Sequence, residues 1–226
     1  MTMDIYLEIG AKRIFAGAIA WPGWCRTAPD EDGALAALAA YGARYASVLA
    51  GADLRPSFAA PKRTSAFNVV ERLAGDSTTD FGAPSIAPAS DASPVKSADL
   101  RKLGAIMEAC WEMLDRAARS AAGAELTKGP RGGGRDLDAL LEHVRGAEAS
   151  YAGRIAVRPP TRSTWDPGHS DAAARAGVLK GLTRAVTDGV PSTGPRGGVM
   201  WTPRYFVRRA AWHVLDHAWE IEDRST

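Results

Sequence analysis

The chain is poor in several residues that would otherwise point straight to a function. Its 226 residues contain two cysteines, Cys25 and Cys110, with no CxxC spacing. That pattern excludes a disulfide framework and a thiolate zinc cluster, and makes a reducing compartment the default expectation. No apolar run reaches the roughly 20 residues of a membrane span. The opening segment sets Asp4 and Glu8 among apolar neighbours, where a leader would carry a basic stretch followed by an apolar core. The expectation is a cytoplasmic protein without a membrane partner. An excess of one charge is also missing: 28 basic against 26 acidic side chains leave a net charge of +2. Such balance argues against a nucleic-acid partner. Histidine is scarce, with only four, at positions 143, 169, 213 and 217.

What is present is ordinary globular material, 46% hydrophobic and 24% charged, enough for one large or two small domains. Ile5 to Ile9 and Ile14 to Ile19 are rich in β-branched and aromatic residues and are separated by Gly10-Ala11-Lys12-Arg13, a hairpin pattern. Trp21-Pro22-Gly23-Trp24 reads as a turn, with a short strand after it around Cys25-Arg26-Thr27. Asp30-Glu31-Asp32 precedes Leu35, Leu38, Tyr41, Tyr45, Val48 and Leu49 at helical spacing, and Phe67 to Leu73 can return as a closing strand. Residues 1–75 are therefore expected to form a β-β-β-α-β domain.

Between 76 and 96 the composition turns to Ser, Thr, Asp, Ala and Pro, which reads as a linker or flexible loop. Residues 97–226 carry four helical stretches: about 98–121, 136–155, 170–187, and a last one opening at Thr202-Pro203, a cap residue followed by proline at the first helical position. Four amphipathic helices are most economically packed as a four-helix bundle. The fold expectation is thus α+β with two domains.

Three of the four histidines fall inside expected helices. His213 and His217 are four apart, so one face of the last helix can aim both imidazoles at one point. His143 on the second helix would complete a three-sided cap on a divalent ion, leaving a coordination position for a ligand. Asp216 or Glu220 can accept the second N–H of a ligating imidazole. Arg208 and Arg209 can clamp a substrate carboxylate. His169 sits at a turn, where a loop or cap role outweighs that of a further ligand or proton shuttle. Cys25 and Cys110 read as buried small residues.

One histidine on the second helix and the run Arg208 to Ile221, with its HxxxH, resemble the DinB/YfiT-like metalloprotein superfamily over about residues 97–226. That resemblance implies a divalent metal, zinc or nickel, on His143, His213 and His217. It also implies chemistry dependent on a low-molecular-weight thiol such as mycothiol or bacillithiol. Tyr6-Leu7-Glu8, the Trp21 to Cys25 turn and the acidic-start helix resemble a HicB-type domain, here without a basic recognition helix. The resulting expectation is a thiol S-transferase acting on a small-molecule electrophile, with a homodimer allowed. The alternatives are a metal-dependent hydrolase or isomerase, and a non-catalytic HicB-like binding protein with a structural metal.

Overall fold

The computed structural model describes residues 2–52, 54, 58–128, 134–157, 172–194 and 197–225. The hairpin forms as read: β1 (Met3–Ile9) and β2 (Ile14–Ala18) pair antiparallel with Ile9 opposite Ile14. β3 (Cys25–Ala28) adds antiparallel to β2, and β4 (Phe67–Ala74) lies parallel to β1 on the other side, giving a mixed sheet in the order β3-β2-β1-β4. A parallel neighbour requires a crossover. It is supplied by two helices, α1 (Glu31–Ala40) and α2 (Gly42–Ala50), where the periodicity predicts one. α1 is capped by Asp30, whose carboxylate accepts from the Gly33 N–H at 2.8 Å. The break falls at Tyr41-Gly42. A side chain at 42 would lie 2.6 Å from Ala60 Cβ, so the start of α2 packs closely only because glycine is there.

The Trp21 to Trp24 turn is a packing device. Gly23 has φ +93°, and a Cβ there would press at 3.1 Å on Ala211 and Leu215. Trp24 is fully buried and donates to Leu38 O at 3.0 Å, while Tyr45 donates to Pro22 O at 2.7 Å. Both turn tryptophans pack edge-on against Phe58. The two cysteines are buried, and burial pushes the Cys25 thiol up to about 12.

Residues 76–96 are held by polar contacts, which differs from the linker expectation. Asp76 and Thr79 form a capping box on a short helix, α3 (Ser77–Phe81). Glu8, buried on β1, accepts from Thr79 Oγ1 at 2.5 Å, Ser85 N at 2.9 Å and Ile86 N at 3.1 Å. Composition shows that the segment lacks apolar mass, but a chain can also be fixed by satisfying one buried carboxylate.

Four long helices follow: α4 (Ser97–Ser120), α5 (Leu137–Gly153), α6 (Ala172–Thr187) and α7 (Pro203–Arg224). Thr202 caps α7 by accepting from Tyr205 N at 3.2 Å, ahead of Pro203. α7 packs along α4 and also touches α5 and α6, while α2 packs on α4. Apolar burial is continuous across the molecule: Ile5, Leu7, Leu38 and Leu49 belong to the same cluster as Ile106, Met107, Val214 and Trp219.

The polar fastener of this assembly is Arg208. Its Nε and Nη2 donate to Asp91 at 2.7 and 2.8 Å, Nη1 to Ala18 O at 2.7 Å, and Nη2 also to Ile19 O at 3.0 Å. With side-chain exposures of 7% and 2%, the pair is out of reach of solvent screening. Removing one partner strands a buried charge. Asp91→Ala should therefore cost about 3–5 kcal/mol in urea unfolding, with part recovered in the Asp91→Leu/Arg208→Met double variant. A loss under about 1 kcal/mol would mean that the pair contributes no more than a surface one.

Candidate metal centre

α7 contributes two histidines because a 3.6-residue period returns His217 above His213, and α5 contributes the third because it lies against α7. The ligand atoms of His143, His213 and His217 all lie within 4.8 Å of one another. Nε2 of His143 and Nε2 of His213 are 3.3 Å apart. Two nitrogens at about 2.0–2.1 Å from one tetrahedral ion are separated by about 3.4 Å, so this pair already has a chelating spacing. A hydrogen bond between the two would satisfy only one pair of nitrogens, whereas a divalent ion takes a lone pair from all three. The donor set fits such an ion.

The environment keeps His143 and His213 in the form that coordinates. Burial, then the neighbouring His217 and Arg209, lower His213 to about 2. His143 is lowered as well, first by burial and then by His217. Neutral imidazole is the ligand form. His217 Nδ1 lies 2.8 Å from Glu220 Oε2. The Glu220 carboxyl is held below its ordinary range by that hydrogen bond and by Arg224, so it accepts, and His217 carries its proton on Nδ1. Its Nε2 lone pair is thereby left for an ion. His213 Nδ1 is buried without a hydrogen-bond partner, so its tautomer is set from the Nε2 side.

Of the two acidic residues expected behind the ligands, Glu220 occupies that position and Asp216 does not. Asp216 instead pairs with Arg26 at 2.8 Å, at the joint where Arg26 stacks on Tyr41. Of the two arginines, Arg208 corrects the expectation of a substrate clamp, because its donors are committed to Asp91, Ala18 O and Ile19 O. Arg209 lies beside the histidines, its Cζ 4.7 Å from the Trp212 ring and 5.3 Å from the Tyr151 ring. His169 lies outside the described residues.

Two residues at the site were not singled out by sequence reasoning. Tyr151 places its ring 5.6 Å from that of His213. Its position eight residues after His143 puts it on the same helical face, which was the available signal. Arg224, four residues after Glu220, donates to it at 2.7 Å and also to Thr127 O and Arg135 O, each at 2.8 Å. It thus fixes both the carboxylate behind His217 and the chain flanking the centre.

Two outcomes follow from these contacts. Glu220→Gln should weaken metal affinity about 10–100-fold while leaving three ligands in place, as read by competition with a chromophoric chelator. In metal-free protein, the unfolded state binds more protons than the folded one below about pH 6.5, because folded His143 and His213 are lowered. Stability is therefore complete above that pH and is lost as pH falls through it. The slope of the urea midpoint from about pH 7.5 to about pH 5.5 should flatten in His213→Asn. The variant is needed because Glu8, raised by burial, acts with the opposite sign. An unchanged slope would contradict the buried neutral imidazole.

No family model matches the chain, and comparison with curated proteins and with solved structures gives no match either.

Proposed function

We propose that the chain is a metal-dependent enzyme in which His143, His213 and His217 hold a divalent ion, zinc or nickel, to activate a low-molecular-weight thiol for transfer to an electrophile. The observation that carries this reading is the convergence of three imidazoles from two helices, with the His217 tautomer set by Glu220. Helix order and ligand order agree with a DinB-like four-helix bundle, and the sheet with its crossover helices supports a HicB-like N-terminal part.

When bound, a dication stabilises the thiolate, the nucleophilic form of a thiol, and with three protein ligands it retains a position for it. The chain's own residues hold His143 and His213 neutral, orient His217 and set Tyr151 against His213, with Trp201 and Tyr205 packed in turn behind Tyr151. His143 is only half-buried, which leaves the centre an approach from solvent. The buried thiols of Cys25 and Cys110 are raised well above neutral pH by desolvation, so the nucleophile must come from outside.

One observation favours a second reading. The ligands come from α5 and α7, so an ion there also staples α5 to the rest of the molecule, as a structural metal would. Metal analysis and cobalt substitution separate the two. Wild type should bind about one ion per chain and His213→Ala far less, and mercaptoethanol should shift the visible spectrum of the cobalt form. Unchanged metal content in His213→Ala removes the proposed centre. Metal-dependent melting with no spectral response to thiols supports the structural role and sinks the transferase.

A further inference from the structure

α7 carries four arginines, and three of them are matched to carboxylates: Arg204 to Asp99 at 2.6 Å, Arg208 to Asp91 at 2.7 Å and Arg224 to Glu220 at 2.7 Å. Arg209 is the exception. Among the described residues it makes no hydrogen bond and no ion pair, and its Nη1 is buried without a partner. Its contacts are with rings: Trp212 at 4.7 Å and Tyr151 at 5.3 Å from Cζ. Ring contacts occupy the faces of a guanidinium and leave its donor-bearing edge to be satisfied by something else. A buried cationic donor without an acceptor is costly, and folding elsewhere on the same helix avoids that cost.

The position of Arg209 indicates what the acceptor is. Tyr151 packs against Arg209 and also against His213, so one residue borders both the guanidinium and the histidine cluster. Around that cluster, the carboxylate in direct contact is Glu220, which lies behind His217 and is shared with Arg224. With no carboxylate but Glu220 in contact with the histidines among the described residues, a bound dication and Arg209 would make this side of the centre strongly cationic. The planar, two-pronged partner that a guanidinium edge fits best is a carboxylate.

We infer that Arg209, framed by Tyr151 and Trp212, is the binding subsite for the carboxylate of an organic anion whose reactive group faces the three histidines. The inference rests on the metal-centre reading and narrows it to carboxylate-bearing ligands. The carboxylate belongs either to the thiol or to the second substrate.

The test uses full-length chain loaded with cobalt, as wild type, Arg209→Met and Arg209→Lys. Mercaptoacetate and mercaptoethanol share the thiol and differ in the carboxylate. Wild type should bind mercaptoacetate about tenfold or more tightly, and Arg209→Met should abolish the preference at unchanged cobalt content. Arg209→Lys should keep part of it, because a point charge remains without the fork. If the preference appears instead for acrylate over acrylamide in the presence of mercaptoethanol, the carboxylate belongs to the second substrate.

A metal-free arm separates the two levels of the argument. Acetate should change the tryptophan fluorescence of wild type and not that of Arg209→Met. That result supports the subsite even if cobalt content shows that the metal centre is wrong. Equal affinity within every pair together with no acetate response, or a preference that survives in Arg209→Met, overturns the inference.

Discussion

Everything around the candidate centre depends on where α7 is held, and the most deeply buried of its polar ties is the Arg208 guanidinium. Arg208 reaches from α7 to Asp91 and to the carbonyls of Ala18 and Ile19 at the end of β2. Apolar burial alone would press α7 against the rest of the molecule without choosing its axial position, since hydrophobic contact is non-directional. Four directional hydrogen bonds to a buried charge make that choice. About one and a half and two and a half turns further on stand His213 and His217, so the contact that registers α7 against the sheet also sets the depth at which two imidazoles meet the third.

The same helix divides its charged residues by task. Arg204, Arg208 and Arg224 satisfy buried or half-buried acids and carbonyls, Asp216 and Glu222 reach back to Arg26 and Arg44, and Glu220 aligns His217. These partners consume the charge of α7 almost completely. Against that background Arg209, beside the histidine cluster, is the one arginine of α7 without a matched acid among the described residues, in a molecule whose net charge of +2 gives no hint of it.

Much of this could be read from the residues, and what could not has a common physical reason. The hairpin, the third strand, the closing strand and the long helices follow from local periodicity and turn chemistry, which are properties of neighbouring residues. The histidine pair and the role of Glu220 are likewise local, at spacings of four and three on one helix. The tasks of Arg208 and Asp216 were misread because their partners lie 117 and 190 residues away, beyond anything a helical spacing can display. The 76–96 segment was misread because its order comes from a carboxylate on β1 rather than from its own composition. The glycine at the start of α2 answers to the close approach of Ala60, again a contact that no local pattern carries.

The central claim is that three imidazoles from α5 and α7 share one divalent ion. X-ray absorption spectroscopy of the zinc-loaded chain tests it most directly. The account predicts a first shell dominated by nitrogen at about 2.0–2.1 Å with the outer-shell scattering of three imidazole rings, falling to two in His143→Ala. A first shell without imidazole scattering, or one unchanged in that variant, would contradict it.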